Sequence, residues 1–348
     1  MNGARRDGLL LLLLGCLVFL FLGVALESVA PGPMSDFKAV YYGARSVMQH
    51  HDPYQKGEIL RLYEQEGGKF PADPDISRSV HRAVLVCINL PTTLFLMVPF
   101  ALLAWAPAHV LWMAIMAASI IFAACLIWNL GSGFAPVLSG ALVCLVLVNS
   151  EVVLIIGNVA GIAISLCLVA AWCFLKDRFA LAGVCCLAGS LLLKPHDAGL
   201  VWLYFLLAGG VHRKRALQTL FIVLLVAAPA FLWVWHIAPN WIQELHANLV
   251  EASARGDLND PGPSSISAHS LAMVVSLQTL LSVLKDDPSF YNPLTYLLCA
   301  PLLLVWAWIT LRTRATPERA WLALAAISAL SMLPVYHRQY DCKMLLLA

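Results

Sequence analysis

Long apolar runs separated by short polar connections dominate the chain. The first run, Leu9 to Leu26, would form a helix about 27 Å long. Apolar runs of about 17 to 25 residues are typical of membrane-spanning helices. The pattern therefore predicts an all-α, polytopic transmembrane helical bundle with about 9–11 spans. The later runs lie at 83–104, 107–128, 134–155, 159–175, 180–210, 216–238, 291–311 and 318–335, and a last one begins at Met344.

Composition agrees with this class. Of the 348 residues, 61% are hydrophobic and 12% are charged, whereas soluble domains carry about 25% charged residues. The net charge of +2 gives no indication of nucleic-acid binding, because the basic residues are scattered over short loops. Most of the ten cysteines lie inside apolar runs, where cysteine behaves as a small hydrophobic residue. We therefore expect neither a disulfide framework nor a zinc site built on cysteine spacing.

Two polar segments, 27–82 and 239–290, interrupt the apolar pattern. The first contains a stretch with helical periodicity, for which Ser35 is a suitable N-cap and Asp52-Pro53 a stop signal. We expect an amphipathic helix along the membrane surface, with Asp36 in its first turn close to the lipid headgroups. One predicted face carries Phe37, Tyr41, Ala44 and Met48, and another carries Lys38, Tyr42, Arg45 and Gln49.

The basic loops give an orientation. Under the positive-inside rule, Arg5, the loop 212–215 and the loop 312–314 should be cytoplasmic. Counting the run 180–210 as one crossing, interrupted at Lys194-Pro195, satisfies all three. If that run makes two crossings instead, the loop 212–215 moves outside, and each half has only about 15 residues, which is short for a span.

With one interrupted crossing, both polar segments and the turn Tyr336 to Asp341 face the external side together. The loop Lys176-Asp177-Arg178 is then a weak exception to the rule, since it also lies outside. Such a convergence suits a site at the water–lipid boundary.

Several motifs resemble a known family. The order Asp36-Phe37, Tyr41-Tyr42 and Asp52-Pro53-Tyr54 after the first span resembles the membrane-embedded GT-C glycosyltransferases. Within these it is most similar to the bacterial alpha-mannosyltransferase-like group, glycosyltransferase family 87 (DUF2029). Further similarities follow in family order, at Asn89-Leu90-Pro91, Gly157-Asn158, Ala182-Gly183, Lys194-Pro195 and Tyr340-Asp341.

Departures from the family pattern also matter. Ile156-Gly157-Asn158 lacks the glutamine of the common Gly-Gln-x-Asn motif, and the start of the second span is reduced to Leu90-Pro91. Family members usually continue with more spans after the Tyr-Asp motif, whereas this chain stops at Ala348. We therefore expect a C-terminally truncated domain, either a fragment or a shortened and inactive member.

The resemblance implies a function. It predicts one GT-C-like domain over 1–348, with 27–82 as the external catalytic loop and 239–290 as a second external loop. Such an enzyme moves a hexose, with mannose favoured, from a polyprenyl-phosphate donor to a glycolipid or glycan acceptor with inversion. It would act at the external, periplasmic face of a bacterial inner membrane. It needs no cofactor, no metal and no nucleic-acid partner.

Asp36 is the predicted catalytic residue on this interpretation. The reaction requires a carboxylate within hydrogen-bond reach of the acceptor hydroxyl to take its proton. The alternative is that Asp36 only stabilises the start of its helix, where the helix dipole favours an acid and would lower its pKa.

Substrate-binding candidates are less specific. Lys194 lies within an apolar run, where ionisable residues are usually functional, although it could simply pair with Asp197. His337 and Arg338 could contact the donor phosphate or anchor a helix end. His269 could bind substrate or be an ordinary loop histidine. The remaining candidates are Asp341 and the tyrosines Tyr41, Tyr42 and Tyr54, which could stack on sugars or serve as interfacial anchors.

Two other function classes stay open. One is a transporter or flippase for lipid-linked substrates, although no internal repeat supports it. The other is an inactive membrane scaffold derived from a glycosyltransferase.

Overall fold

A computed structural model describes residues 3–267, 273–313, 316–334 and 336–348. Within these ranges the regular secondary structure is helical apart from two short strands, which confirms the predicted all-α class. The helices are α1 (Gly3–Val29), α2 (Ser35–Met48), α3 (Lys56–Gln65), α4 (Pro74–Leu85), α5 (Pro91–Ala101), α6 (Trp105–Gly131), α7 (Pro136–Val148), α8 (Val152–Ile156), α9 (Ala160–Leu175), α10 (Ala180–Leu193), α11 (Pro195–Leu207), α12 (Gly210–Ile237), α13 (Trp241–Ala252), α14 (Leu277–Ser282), α15 (Pro288–Arg312) and α16 (Pro317–Ser331). The strands are β1 (Val274–Val275) and β2 (His337–Arg338), and a 3₁₀ helix covers Gln339–Leu347.

Five helices of the described chain are long and apolar enough to cross a membrane. Three further apolar helices, α5, α9 and α10, are shorter. This confirms a polytopic membrane protein. The five long helices are Gly3–Val29, Trp105–Gly131, Pro136–Ile156 (α7 and α8 taken together), Gly210–Ile237 and Pro288–Arg312.

One end of the bundle, which we call the basic end, collects the start of α1, the α6–α7 turn and the start of α16. Gly8 packs so closely on α7 that a Cβ there would lie 2.2 Å from the Pro136 carbonyl oxygen. The rings of Phe134 and Trp321 meet edge to face at 6.1 Å. The end of α9 joins them, since the indole nitrogen of Trp172 donates to Asn129 at 3.5 Å.

The α10–α11 pair corrects the predicted topology. The Arg215 guanidinium, in the first turns of α12, forms an ion pair with Asp177, in the loop before α10. The loops 176–178 and 209–215 therefore lie at the same end of the bundle. Hence α10 leaves the basic end and α11 returns to it, with Lys194 at the tip. The predicted break at Lys194-Pro195 is correct, but the single interrupted crossing is wrong, because Pro195 starts a new helix in the reverse direction.

A second correction concerns the run 83–104, which does not form one crossing. α4 ends at Leu85, the chain is extended up to Leu90, and α5 has only 11 residues. At the start of α5, the Thr92 hydroxyl donates to the Leu192 carbonyl at 2.7 Å, beside the α10–α11 tip. After its end, the Leu103 carbonyl accepts from Tyr41 of α2 at 2.8 Å. Both ends of α5 thus lie at the end opposite the basic one.

The two corrections cancel in the crossing count. α5 removes one predicted crossing, and the reversal at Lys194 adds one. The basic loop 212–215 therefore stays at the same end as Arg5, and the exception at Lys176-Asp177-Arg178 disappears. The polar segments 27–82 and 239–290 gather at the opposite end, which we call the cavity end.

Helix α2 also differs from its prediction. It begins at Ser35 itself, and the cap position is Met34, whose φ of 57° is left-handed and which makes no side-chain cap. The helix ends at Met48, before the expected stop at Asp52-Pro53. Tyr41 and Tyr42, from the two predicted faces, are 0% and 2% exposed. α2 is therefore enclosed by α3, α4 and α5, whereas α4 and α13 each bury one face, as expected of amphipathic surface helices.

Candidate functional site

A cavity of about 990 Å³ opens at the cavity end of the bundle. Its polar lining comes from three parts of the chain. These are the first polar segment (Asp36 and Arg82), the region from α8 to α11 (Asn158, Lys194 and His196), and the second polar segment together with the C-terminal turn (Asn259, Arg338 and Tyr340). The two polar segments and the C-terminal turn therefore converge on one site.

Asn158 holds the Asp36 carboxylate in place. Its side-chain nitrogen donates to Oδ2 of Asp36 at 2.6 Å and to the Tyr340 hydroxyl at 2.9 Å. Its side-chain oxygen accepts from the backbone N–H of Ala160 at 2.8 Å, which fixes the amide at the start of α9. One asparagine thus joins the first polar segment to the C-terminal turn.

Gly157 makes this arrangement possible. It ends α8 in the left-handed region, with φ of 71°, a conformation that favours glycine. A Cβ at this position would lie 2.6 Å from Sδ of Met34 and 2.7 Å from Cβ of Phe37. The glycine therefore lets the start of α2 approach α8 closely, which brings Asp36 to Asn158.

Aromatic packing secures the same contact. The rings of Phe37 and Trp112 are stacked, with centroids 4.8 Å apart and planes 7° apart. The Trp112 indole N–H donates to the Gly157 carbonyl at 2.9 Å. The residue after Asp36 is thus anchored to the residue before Asn158.

Burial raises the pKa of Asp36 above its ordinary value, although the hydrogen bond from Asn158 and the charges of Arg338 and Lys194 act in the opposite direction. The sequence suggested that the helix dipole would lower this pKa. Removal from water outweighs such effects here. A carboxylate with a raised pKa is a stronger base than an exposed one.

Lys194, at the α10–α11 tip, is paired with buried carboxylates. Its Nζ donates to Asp341 at 2.7 Å and lies 3.4 Å from Asp197. Burial would lower the pKa of Lys194, but these two carboxylates outweigh it and hold the pKa above its usual value. The lysine therefore places a positive charge in the cavity wall at neutral pH. The predicted pair with Asp197 is present, and Asp341 is the closer partner.

Asp341 organises the C-terminal turn. Burial opposes its ionisation, but the charges of Lys194 and His337 outweigh burial and hold the pKa of Asp341 well below its usual range. Its second oxygen accepts the backbone N–H of Arg338 at 2.8 Å. The carboxylate thus fixes both cations that line the cavity.

Arg338 is tied to the second polar segment. Its guanidinium donates to the Leu258 carbonyl at 3.0 Å and to the Asn259 side chain at 2.9 Å, and it also contacts the Tyr336 hydroxyl. The β1–β2 pair adds backbone contacts, with Val274 opposite Arg338 and Val275 opposite His337. The guanidinium therefore has a fixed place in the wall.

His337 points away from the cavity and is 1% exposed. Its Nδ1 lies 3.5 Å from Asp197 and 3.6 Å from Asp341. Burial lowers the pKa of His337, but these carboxylates outweigh it and raise the pKa to about 9. The positive charge of the imidazole thus partly offsets the negative charges of Asp197 and Asp341.

An ionic bridge joins the two polar segments beside the cavity. Arg82 of α4 pairs with Glu251 of α13 and, at 3.3 Å, with Asp257. Lys56 of α3 also contacts Glu251. The surface helices of both segments are thus tied together by charge.

The structure brings some predicted residues to the site and places others elsewhere. Asp36, Lys194 and Arg338 line the cavity, and Asp341 lies directly behind them. His269 falls outside the described residues. Tyr41, Tyr42 and Tyr54 are buried in the first polar segment and donate to the Leu103 carbonyl, Glu66 and the Asn89 carbonyl at 2.8, 3.3 and 3.0 Å.

Lining residues that were not predicted as site residues include Asn158, His196 and Tyr340. Asn158 and Tyr340 belong to motifs that supported the family resemblance, and this was the available signal. His196 follows the Lys194-Pro195 motif, and its position depends on the chain reversal that the sequence did not reveal.

The family comparison covers most of the chain. The sequence model of glycosyltransferase family 87 matches residues 88–335, which include Asn158 and Lys194, whereas Asp36 and Arg338 lie outside the matched range. No curated protein and no solved structure matches the chain. The match extends over more than half of the sequence and accords with the apolar helices, so the chain belongs to glycosyltransferase family 87 and is a membrane glycosyltransferase.

Proposed function

We propose that this glycosyltransferase moves a hexose, with mannose favoured, from a polyprenyl phosphate to a hydroxyl of a glycolipid or glycan acceptor. One observation carries the proposal: a single cavity is lined by the Asp36 carboxylate and by the cations of Lys194 and Arg338. These are the groups that a direct displacement at a sugar phosphate requires.

Asp36 is the general base. Asn158 holds its Oδ2, while Oδ1 lies 3.5 Å from the Ser35 hydroxyl at the cavity wall. Asp36 takes the acceptor proton as the hydroxyl oxygen attacks the anomeric carbon. The bond from that carbon to the phosphate oxygen breaks on the opposite side, so the configuration inverts.

The cationic wall receives the leaving group. Negative charge grows on the polyprenyl phosphate as the bond breaks, and nearby fixed cations stabilise that charge most strongly in a site with little water. Lys194 and Arg338 are held by Asp341 and Asn259, so they need not reorganise during the reaction.

The rest of the cavity suits an isoprenoid chain. Apolar side chains line the wall between α4 and α13, including Val80, Ala83 and Leu249. A lipid-linked donor could bury its first isoprene units there while its phosphate meets the cations.

The orientation supports an external active face. The basic loops lie at the end of the bundle opposite the cavity, and such loops are preferentially cytoplasmic. In a bacterium the cavity would then open at the periplasmic face of the inner membrane.

The test uses the Asp36→Asn variant of the full chain in nanodiscs, supplied with radiolabelled polyprenyl-phosphate mannose and a mixed glycolipid acceptor. We expect transfer to fall by about 10²- to 10⁴-fold, the usual contribution of a general base. The matched control is Asp75→Asn, which changes an exposed carboxylate at the cavity rim and should retain activity.

The outcome discriminates between function classes. Undiminished transfer by a folded Asp36→Asn protein would contradict the assignment of the base. Movement of intact lipid across the membrane without transfer would indicate a flippase. A wild-type chain that does neither would indicate a scaffold.

A further inference from the structure

Three side chains at the cavity wall place metal-binding atoms together. His196, Asp197 and His337 each offer one ligand atom, and all of these atoms lie within 4.8 Å of one another. Nε2 of His196 is 3.4 Å from Oδ1 of Asp197, and Nδ1 of His337 is 3.5 Å from the same oxygen. In a tetrahedral site with bonds of about 2.1 Å, neighbouring ligand atoms are about 3.4 Å apart. Both distances therefore match the edge of such a site.

The buried ligand atoms make ion pairs of 3.4–3.6 Å but no hydrogen bond among the described residues. Nδ1 of His337 and both carboxylate oxygens of Asp197 are buried without a hydrogen-bond partner among the described residues. Asp197 is 3% exposed and His337 is 1% exposed. Buried polar atoms normally have a partner, so this group calls for a ligand.

His337 is oriented in the manner of a metal ligand. Its Nε2 lies 3.1 Å from the Ser331 carbonyl, which accepts the ring N–H and leaves Nδ1 directed at Asp197. Metal-binding histidines usually donate their second ring N–H to a carbonyl or a carboxylate in this way.

The ammonium group of Lys194 does not occupy the carboxylate oxygen that would bind the metal ion. Nζ of Lys194 faces Oδ2 of Asp197 at 3.4 Å and Oδ1 of Asp341 at 2.7 Å. Oδ1 of Asp197, the atom that faces both histidines, remains for the metal. Two of the three ligand atoms are imidazole nitrogens. This favours Zn²⁺ over Mg²⁺ or Ca²⁺.

We propose that His196, Asp197 and His337 form a binding site for a divalent transition-metal ion of the Zn²⁺ type. The three ligands leave a fourth position open. Of the three, His196 lines the cavity.

The test measures zinc directly. The full-length protein in nanodiscs is stripped with EDTA, equilibrated with 10 µM ZnCl₂ (about ten times a Kd of ~1 µM), desalted and analysed by elemental mass spectrometry. We expect one zinc per chain and a higher midpoint of thermal unfolding, with no comparable effect of Mg²⁺. His196→Ala should lose at least about ten-fold in zinc affinity.

Two controls make the result decisive. His246→Ala removes an exposed histidine of α13 and should keep the zinc. Cys185→Ser removes an exposed thiol, the most accessible alternative ligand, and should also keep it. Absence of zinc in the wild-type chain, equal zinc in His196→Ala, or loss of zinc in Cys185→Ser would each overturn the proposal.

Discussion

A single amide, Asn158, determines how Asp36 is presented to the cavity. It donates to the carboxylate and to Tyr340, which lie 122 and 182 residues away in sequence. The carboxylate, the amide and the tyrosine are therefore joined by hydrogen bonds, and on the proposed function Asn158 would tune the strength of Asp36 as a base.

The Asn158→Ala variant tests this role. Replacing Asn158 by alanine removes a hydrogen bond that lowers the pKa of Asp36. Burial already raises this pKa, and without the hydrogen bond it should rise further. Hydrogen bonds to charged groups contribute about 1.5–3 kcal/mol, which corresponds to about one to two pH units. Because the base must be deprotonated, the acid limb of kcat/KM should move to higher pH by that amount.

A matched control is Asn149→Ala, which removes an exposed amide that donates to the Leu145 carbonyl; its pH profile should equal that of the wild type. An unchanged acid limb in Asn158→Ala, with kcat/KM reduced at all pH values, would show that the amide binds substrate rather than tuning the base.

Some cavity-lining positions were predictable from the sequence. Lys194 stands out because a charge inside an apolar run is costly unless it is used, whereas Asp36 and Arg338 lie in polar segments expected to meet at the same face. Asn158 and His196 are ordinary residue types in ordinary contexts. Their importance arises from partners far away in sequence, which local patterns do not reveal.

At the scale of elements, the close packing of α2 against α8 depends on Gly157. The carboxylate reaches Asn158 only because α2 packs directly on a backbone position that lacks a Cβ. Any side chain there would separate the two elements.

Gly157→Ala should destabilise the protein by about 3 kcal/mol, from the left-handed backbone and from overpacking against Met34 and Phe37. Thermal unfolding in detergent micelles measures the change. Gly199→Ala is the control, since a Cβ at Gly199 would meet open space within a regular helix, and its midpoint should not fall. A Gly157→Ala midpoint equal to that of the wild type would show that α2 can move away without cost.

Helix existence was easier to predict than helix direction. The long runs that became α1, α6 and α12 carry an unambiguous apolar signal. The runs 83–104 and 180–210 each contain a proline that starts a new helix, at Pro91 and Pro195. A proline marks a break but does not show whether the chain continues or reverses after it. For this reason each run was wrongly predicted to cross the membrane once.

For the whole molecule, these two errors cancelled. The predicted convergence of the polar segments and the C-terminal turn was correct, since it depended on the parity of the crossings rather than on each crossing. The predicted topology places the loops 176–178 and 212–215 on opposite sides of the membrane, whereas the structure places both at the basic end.

Cysteine accessibility tests that difference in intact cells, using a background in which the exposed Cys185 is replaced by serine. A cysteine introduced by Asp177→Cys and one introduced by Arg213→Cys should both resist a membrane-impermeant maleimide until the cells are opened. Gln55→Cys, an exposed position at the cavity end, is the control and should react at once. Labelling of Asp177→Cys in intact cells would contradict the reversal at Lys194 and would support a single interrupted crossing over 180–210.

The β1–β2 pair has a consequence for the synthesis of the chain. It secures Arg338 beside the cavity, about 300 residues after Asp36. At a translation rate of about 5–20 residues per second, the ribosome needs about 15–60 s to travel from one to the other. During that interval the nascent protein carries Asp36 without its cationic neighbour Arg338. The cavity wall is therefore among the last features to be completed, and a nascent chain released before residue 338 would insert its helices yet lack one of the two cations of the wall.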